Sequence, residues 1–315
     1  MSVLIETKHL KKYFSVPGGQ LHAVDDVSIK IRQGKTLGVV GESGCGKSTL
    51  GRTLIHLLDS TEGNILFDGE DITHVNRKGL TRLRRNMQII FQDPYASLNP
   101  RMTAEPTITE PLRLSGMKGR ELEEETEKLM ERVGIESRLK YAYPHELDGG
   151  RRQRIGIGRA LALNPKFVVC DEPVSALDVS IQAQVLNLLS DLQSELGTTY
   201  LFVTHDLSVV KHISDEICVM YLGQVVELAE SGELFQNPLH PYTKALLSAI
   251  PSTNIHKKSR RIILKGEVTS PINPGPGCRF ASRCPYAAES CSQPQTLADS
   301  GGGHLVSCGR IRELS

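Results

Sequence analysis

Gly41-Glu42-Ser43-Gly44-Cys45-Gly46-Lys47-Ser48-Thr49 is the stretch on which the fold of this 315-residue chain turns. Its spacing is that of a phosphate-cradling loop. Gly41, Gly44 and Gly46 let backbone N–H groups turn toward phosphate oxygens without a side-chain clash. Lys47 supplies a point charge for the β- and γ-phosphates of a nucleotide. The Ser48 hydroxyl suits Mg²⁺, and a helix opening there aims its positive end at the anion. The flanks agree. Leu37-Gly38-Val39-Val40 is a short apolar run entering the loop, and Leu50 to Leu58 has helical character. Strand, glycine loop and helix is the context such a loop requires.

Working outward, three more apolar runs read as buried strands: Phe167-Val168-Val169-Cys170, Tyr200-Leu201-Phe202-Val203 and Ile217-Cys218-Val219-Met220. Between the first two, Ile181, Val185, Leu188, Leu192 and Leu196 recur at helical spacing. The alternation predicts an α/β core with a largely parallel sheet. Polar residues stand just beyond three of the strand ends, where such sheets hold their ligands. They include Asp171, Glu172 and His205. Asp171 is a carboxylate suited to the loop's metal ion. Glu172 is placed to polarise an attacking water, with a salt bridge as its alternative role. His205 could contact the γ-phosphate, and Gln92 could reach Mg²⁺ or water through its amide.

The stretch from about 95 to 165 reads as a mostly helical insertion. Its acidic helix, Glu121 to Val133, carries Leu122, Thr126, Leu129 and Val133 on one face, and Pro94, Pro100, Pro106, Pro111 and Gly116 mark loops before it. A linker is expected near 250–260. The remaining tail, rich in Gly, Pro and Cys, is too poor in apolar residues to build a large core alone.

Lys plus Arg is 37 against 36 for Asp plus Glu, a net charge of +1, which offers no general attraction to nucleic acid. Apolar runs fall well short of the roughly 20 residues of a membrane helix, and no signal-peptide pattern opens the chain. A soluble cytoplasmic protein is expected. Cys45, Cys170 and Cys218 read as small core residues. Cys278, Cys284, Cys291 and Cys308 follow the spacing C-x5-C-x6-C-x16-C. That lacks the C-x2-C pair common in zinc sites, and structural disulfides are disfavoured in a reducing compartment. Four thiolates gathered by folding suit an iron–sulfur cluster or zinc.

Taken together, these motifs resemble the ATP-binding cassette (ABC) family, and most nearly the ATPase subunits of bacterial dipeptide and oligopeptide importers. Asp171-Glu172-Pro173-Val174-Ser175-Ala176-Leu177-Asp178-Val179-Ser180 and Gly41 to Gly46 carry the likeness, as do Gly277-Cys278-Arg279-Phe280 and Arg283-Cys284-Pro285 in the tail. The resemblance implies a P-loop nucleotide-binding domain over 1–250, with a helical subdomain over about 95–165, and a Cys-rich extension over 251–315. It implies ATP and Mg²⁺ as cofactors, with Ser48, Gln92 and Asp171 at the metal. Tyr13 would stack on adenine. Gln92 would couple nucleotide state to membrane subunits, Glu172 would be the catalytic base, His205 the switch histidine, and Asp178 part of the loop between two cassettes.

A [4Fe–4S] cluster on the four tail cysteines is likewise implied, with zinc the lesser alternative. The implied partners are a second ATPase subunit, two transmembrane permeases and, indirectly, an extracytoplasmic solute-binding protein. The implied location is peripheral, on the cytoplasmic face of the membrane. Peptides are the implied solute; nickel, haem and oligosaccharides are alternatives. A largely regulatory ATP-binding subunit and a soluble ABC ATPase are rival functions, the latter opposed by the lack of sustained heptads.

One motif departs from the family's pattern. Where its signature has leucine, serine, glycine, glycine, glutamine, this chain has Leu147-Asp148-Gly149-Gly150-Arg151. The serine hydroxyl would donate to a γ-phosphate, whereas an ionised Asp148 repels one. Asp is also a good helix N-cap, so the local fold is expected to survive. Because in that family the signature of one cassette completes the site of the other, Asp148 leads to the expectation of a heterodimer whose opposite site is weakened; the alternative is that Asp148 only caps the helix and hydrolysis continues with reduced affinity.

Overall fold

The computed structural model describes residues 2–250, 261–264, 266 and 270–314. The expected linker near 250–260 lies outside the described residues. The chain divides into two compact units: Val3–Ile31, Thr36–Thr73 and Val203–Ser315 form one, and Met1–Ser2, Arg32–Lys35 and His74–Phe202 the other.

In the first unit, strands Ala298–Asp299, Leu305–Val306, Gln224–Glu230, Glu216–Tyr221 and Thr36–Val40 lie side by side in that order. Glu216–Tyr221 runs parallel to Thr36–Val40, with Cys218 opposite Val39. Its other neighbour, Gln224–Glu230, is antiparallel. Every residue of Thr36–Val40 is buried, as an apolar run covered on both faces must be. A separate antiparallel set places Gly19–Val27, Val3–Val16, Glu62–Phe67 and Glu70–Asp71 in order.

The tail is not a free appendage. Leu305–Val306 adds to the edge of Gln224–Glu230, pairing Val306 with Glu227. Buried His304 meets the buried Glu227 carboxylate at 2.7 Å. That carboxylate also accepts the backbone N–H groups of Leu239 and His240, at 2.7 and 2.9 Å. Phe280, 1% exposed, packs among Tyr221, Tyr242 and His240 with ring centroids 5.3–5.7 Å away. Too poor in apolar residues to close a core of its own, this segment adds the buried Phe280 ring to a core that already exists.

His240 gives this packing a pH dependence. Its Nδ1 accepts the Tyr242 N–H at 3.1 Å, capping the helix Pro241–Ser248. Burial pushes its pKa down from 6.5 to about 3. Between those values the unfolded chain takes up a proton that the folded chain refuses, so stability falls as pH drops from about 6.5 toward 3. His240→Asn keeps a capping oxygen and cannot titrate. The variant should flatten the loss of thermal midpoint between pH 6.5 and 4, an effect on the order of a few kcal/mol. An unchanged pH slope in the variant would refute this assignment.

In the second unit, Met87–Ile90 runs parallel to Phe167–Asp171, which neighbours Thr199–Val203. The helices Ala104–Ser115, Gly119–Arg132 and Gly149–Leu161 pack on one another. Leu122, Thr126 and Leu129 face inward as their spacing predicts, joined by Met130. Two details differ from the sequence reading. Pro94, Pro106 and Pro111 are not in loops: Pro94 opens the short helix Pro94–Ser97, capped by Asp93, and the other two lie within Ala104–Ser115. Pro106 is the third helical residue, where its missing N–H would be unpaired anyway. Pro111 costs one interior hydrogen bond, and burial of Ala104, Ile108 and Leu112 offsets it. In Val179–Leu196 the buried stripe is Val185, Leu189 and Leu192, with Leu188 only half-buried. Adjacent leucines made the periodicity ambiguous by one position. Among the described residues, no helix is long and apolar enough to cross a membrane.

Candidate functional site

The glycine loop leaves strand Thr36–Val40 and enters helix Lys47–Leu54. Gly41 and Gly46 have φ of 154° and 105°. At Gly46 a Cβ would sit 1.9 Å from the Ala23 carbonyl oxygen, so only glycine fits. The helix that follows has no side-chain cap at Gly46, and its positive end opens directly from the loop, the setting in which an anion is held. Lys47 is buried, and its Nζ donates to the carbonyls of Gly41 at 2.8 Å and Glu42 at 3.0 Å. This fixes the ammonium at the base of the loop. Ser43 and Gly44 are exposed, while Ser48 and Thr49 are half-buried in the first helical turn. Burial pushes the Cys45 thiol up, partly offset by Lys47, which fits a packing role.

Tyr13 and His205 belong to the same unit as this loop. Tyr13 stacks on His22 with centroids 3.9 Å apart, so one of its two faces is already covered. Its hydroxyl donates to the Asp25 carboxylate. Burial pushes the Tyr13 phenol up, and the bond to Asp25 adds to this. Burial pushes the Asp25 carboxyl up as well, but the bond from Tyr13, the Arg279 charge and the bond from His22 outweigh it and hold that carboxyl below the usual range. His205 is exposed, just past strand Thr199–Val203. Next to it, Asp206 caps the helix Leu207–Ile213.

The carboxylate residues lie in the other unit. Asp171 ends strand Phe167–Asp171 and is 1% exposed. Glu172 follows at φ 48°, an uncommon conformation for a residue with a side chain. The Ser175 N–H and Oγ both donate to the Glu172 carbonyl, at 3.3 and 3.1 Å, and hold that turn. Gln92 Nε2 donates to Glu172 Oε2 at 2.8 Å. Two candidates 80 residues apart in sequence are thus in direct contact. Asp178 stands at the N-terminus of Val179–Leu196 and does not cap it through its side chain.

Asp148 caps the helix Gly149–Leu161. Its Oδ1 accepts the Arg151 N–H at 2.7 Å, and its Oδ2 accepts Arg151 Nη1 at 2.9 Å. Both oxygens are engaged by the next turn, and Arg151 balances their charge. Gly149 and Gly150 let this helix start approach its neighbour: a Cβ at Gly150 would lie 2.7 Å from Ile181.

Cys278, Cys284, Cys291 and Cys308 are half-buried free thiols gathered in one neighbourhood. Burial pushes Cys278 up to about 11, and the other three cysteines push the same way. The Cys278 N–H donates to the Cys291 carbonyl at 2.8 Å. Among the described residues, however, no group of three or more His, Cys, Asp or Glu side chains is arranged to hold a metal ion. The fold therefore brings the four cysteines together without arranging them as a metal site, which supports neither the iron–sulfur cluster nor zinc.

Sequence reasoning missed Asp25, His22, Tyr242, Arg279 and Arg283. The Glu42 N–H donates to the Tyr242 hydroxyl at 2.9 Å, and Arg283 Nη1 donates to the Glu42 carboxylate at 2.7 Å. Two tail arginines beside two cysteines were the available signal.

Comparison with known proteins gives two family matches: "ABC transporter" over residues 24–175, and "Oligopeptide/dipeptide transporter, C-terminal region" over 226–291. The chain is 51% identical to the oligopeptide transport ATP-binding protein AppF of Bacillus subtilis, over 97% of this chain and 96% of that protein. It is 48% identical to OppF of Salmonella typhimurium, over 100% and 95%. Among solved structures, cbiO1 from Clostridium perfringens, part of the transporter complex cbiONQ, matches with TM-score 0.69 at 29% identity, covering 75% of this chain and 92% of that one. The dimeric cassette MJ0796 bound to ADP and Pi matches with TM-score 0.67 at 29% identity, covering 72% and 99%.

Proposed function

Because the chain belongs to the ABC transporter family, we propose that it is the ATP-hydrolysing subunit that powers import of oligopeptides or dipeptides through a membrane transporter. The observation that carries this reading is the uncapped helix start at Gly46 with Lys47 buried beneath it, a built phosphate site. Similarity to oligopeptide transport proteins along nearly the whole chain, tail included, supplies the solute class.

The chemistry is ATP + H₂O → ADP + phosphate. The loop N–H groups and Lys47 hold the phosphates. Ser48 and Asp171 would supply hard oxygen donors of the kind Mg²⁺ takes, and Gln92 would add an amide oxygen. Bound Mg²⁺ would neutralise charge developing on the phosphoryl oxygens. Glu172 takes the proton of the attacking water, oriented by Gln92. His205 contacts the γ-phosphate, and Tyr13 offers its uncovered face to adenine. Asp148, Gly149, Gly150 and Asp178 serve a second cassette. The protein sits on the cytoplasmic face of the membrane against two permeases fed by a solute-binding protein, with no role for nucleic acid.

We infer that the four tail cysteines would be the donor set of a [4Fe–4S] cluster, the ligand type and number that such a cluster takes. Its role would be to staple the tail. Brown colour and broad visible absorbance in anaerobic protein, lost with Cys291→Ser, would support it; colourless protein without iron would remove it.

The partner cassette is a different chain. Asp148, engaged by Arg151, presents no hydroxyl to the partner's ATP. In the assembled transporter, Asp148→Ser should raise hydrolysis at the partner's site several-fold, read with this chain's own site disabled by Glu172→Gln. An unchanged rate sinks the asymmetric reading. The function itself is tested by reconstituting the chain with its neighbouring ATPase and permeases in vesicles. Peptide delivered by the binding protein should stimulate phosphate release. Stimulation by nickel, haem or oligosaccharide instead would reassign the solute.

A further inference from the structure

Two arginines of the cysteine segment reach the nucleotide-binding loop, and nothing in the hydrolysis chemistry above uses them. Arg283 is 9% exposed, and its Nη1 donates to the Glu42 carboxylate at 2.7 Å and to the Tyr221 hydroxyl at 3.4 Å. Glu42 is the second residue of the phosphate loop. Its carbonyl is one of the two that hold Lys47 Nζ, and its N–H donates to Tyr242. Arg283 therefore grips the residue that helps aim the phosphate-binding ammonium.

Arg279 is 6% exposed and donates to the Asp25 carboxylate and to the Leu222 carbonyl. Asp25 receives the Tyr13 hydroxyl and lies 3.2 Å from His22 Nδ1, so it orients the stacked Tyr13–His22 pair. The turn beside Leu222 closes the circuit. The Asp25 N–H donates to the Gly223 carbonyl, and the Gly223 N–H donates to the Cys45 carbonyl, each at 2.8 Å. Between the two arginines, Phe280 is wedged into the Tyr221–Tyr242–His240 cluster. The three side chains form a plug fixed at three points. The Arg279–Asp25 pair is buried and the Arg283 guanidinium nearly so, so displacing Asp25 or Glu42 strands an arginine with little water to replace its partner.

We propose that Arg279 and Arg283 are positioning residues for ATP, and that the cysteine segment and the nucleotide grip form one coupled element. Arg283 sets the phosphate loop through Glu42, and Arg279 sets the adenine platform through Asp25. Cys278 and Cys284 directly flank this plug, so whatever the cysteines bind or lose is transmitted to ATP affinity. The inference rests on the ATPase reading above. It adds regulation of that site from the tail.

Coupling is reciprocal: if a docked segment tightens ATP binding, bound ATP must protect the docked segment by the same factor. The test uses the full-length wild-type chain and its Arg279→Ala, Arg283→Ala and Arg283→Lys variants. Saturating Mg·ATP should slow amide hydrogen exchange across 278–284 in the wild type. In the alanine variants the KM for ATP should rise about tenfold, with kcat changing much less, and Arg283→Lys should recover part of the loss. Should the alanine variants fail to fold, wild-type exchange with and without nucleotide still decides. Exchange across 278–284 that ignores ATP overturns the coupling, as does an unchanged KM in folded alanine variants. A wild-type chain that binds no ATP overturns the ATPase reading instead, so the two failures are distinct.

Discussion

Glu172→Gln is expected to lower steady-state ATP hydrolysis by roughly a hundredfold to ten-thousandfold while leaving ATP binding intact, the range a lost general base commonly costs. The substitution preserves shape, and the new amide keeps an oxygen to accept the Gln92 N–H, so the 2.8 Å contact survives. What it removes is the capacity to take a proton from water. The backbone supports a chemical role for this side chain. Glu172 sits at φ 48°, a conformation costing on the order of 1–3 kcal/mol that persists only where the surroundings impose it. Here Ser175 clamps its carbonyl from two donors, and the buried Asp171 precedes it. A merely structural acid would gain nothing from that strain. Phosphate release and nucleotide binding, measured on the same preparation, separate the two roles. Hydrolysis within tenfold of wild type would remove Glu172 from the base position.

The phosphate loop and the buried strands were legible because their signals are local. Nine consecutive residues specify the loop, and an uninterrupted run such as Phe167-Val168-Val169-Cys170 can be satisfied only by burial on both faces. Asp148 was legible as a cap for the same reason, since its partner is three residues away. Pro106 and Pro111 misled because packing of Ile108 and Leu112 outweighs a local preference that proline normally settles. The tail was legible as chemistry but not as architecture. Arg279 meets Asp25 across 254 residues, and Arg283 meets Glu42 across 241. At those separations spacing carries no information. The four cysteines drew attention to themselves, while the arginines beside them, which tie the segment to the loop, were given no role of their own. The Gln92–Glu172 contact was equally hidden: each residue was a candidate alone, and only the fold makes them a pair.

Gly46→Ala is the second large effect, and its comparison with Gly44→Ala isolates the cause. Both positions have positive φ, 105° at Gly46 and 78° at Gly44, so both substitutions carry backbone strain. Only at Gly46 does the new methyl meet the fixed backbone, 1.9 Å from the Ala23 carbonyl oxygen; at Gly44 nothing lies within 4 Å. Ala23 is in strand Gly19–Val27, which cannot move without disturbing its pairing, so the loop must move instead. That displaces the helix start and Lys47, which are the phosphate contacts themselves. The strain alone is worth about 1–3 kcal/mol, and each 1.4 kcal/mol is a factor of ten, so adding the clash puts the loss of ATP affinity at Gly46→Ala on the order of a hundredfold or more. Gly44, at φ 78°, lies nearer the left-handed helical region, where the strain is about 1–1.4 kcal/mol, so Gly44→Ala should lose about tenfold or less. Binding of a fluorescent ATP analogue, with thermal unfolding to confirm that both variants fold, reads the contrast. Equal losses at the two positions would mean that φ alone governs the loop. Greater loss at Gly44 would mean that the approach of Gly46 to Ala23 does not hold the phosphate site in place.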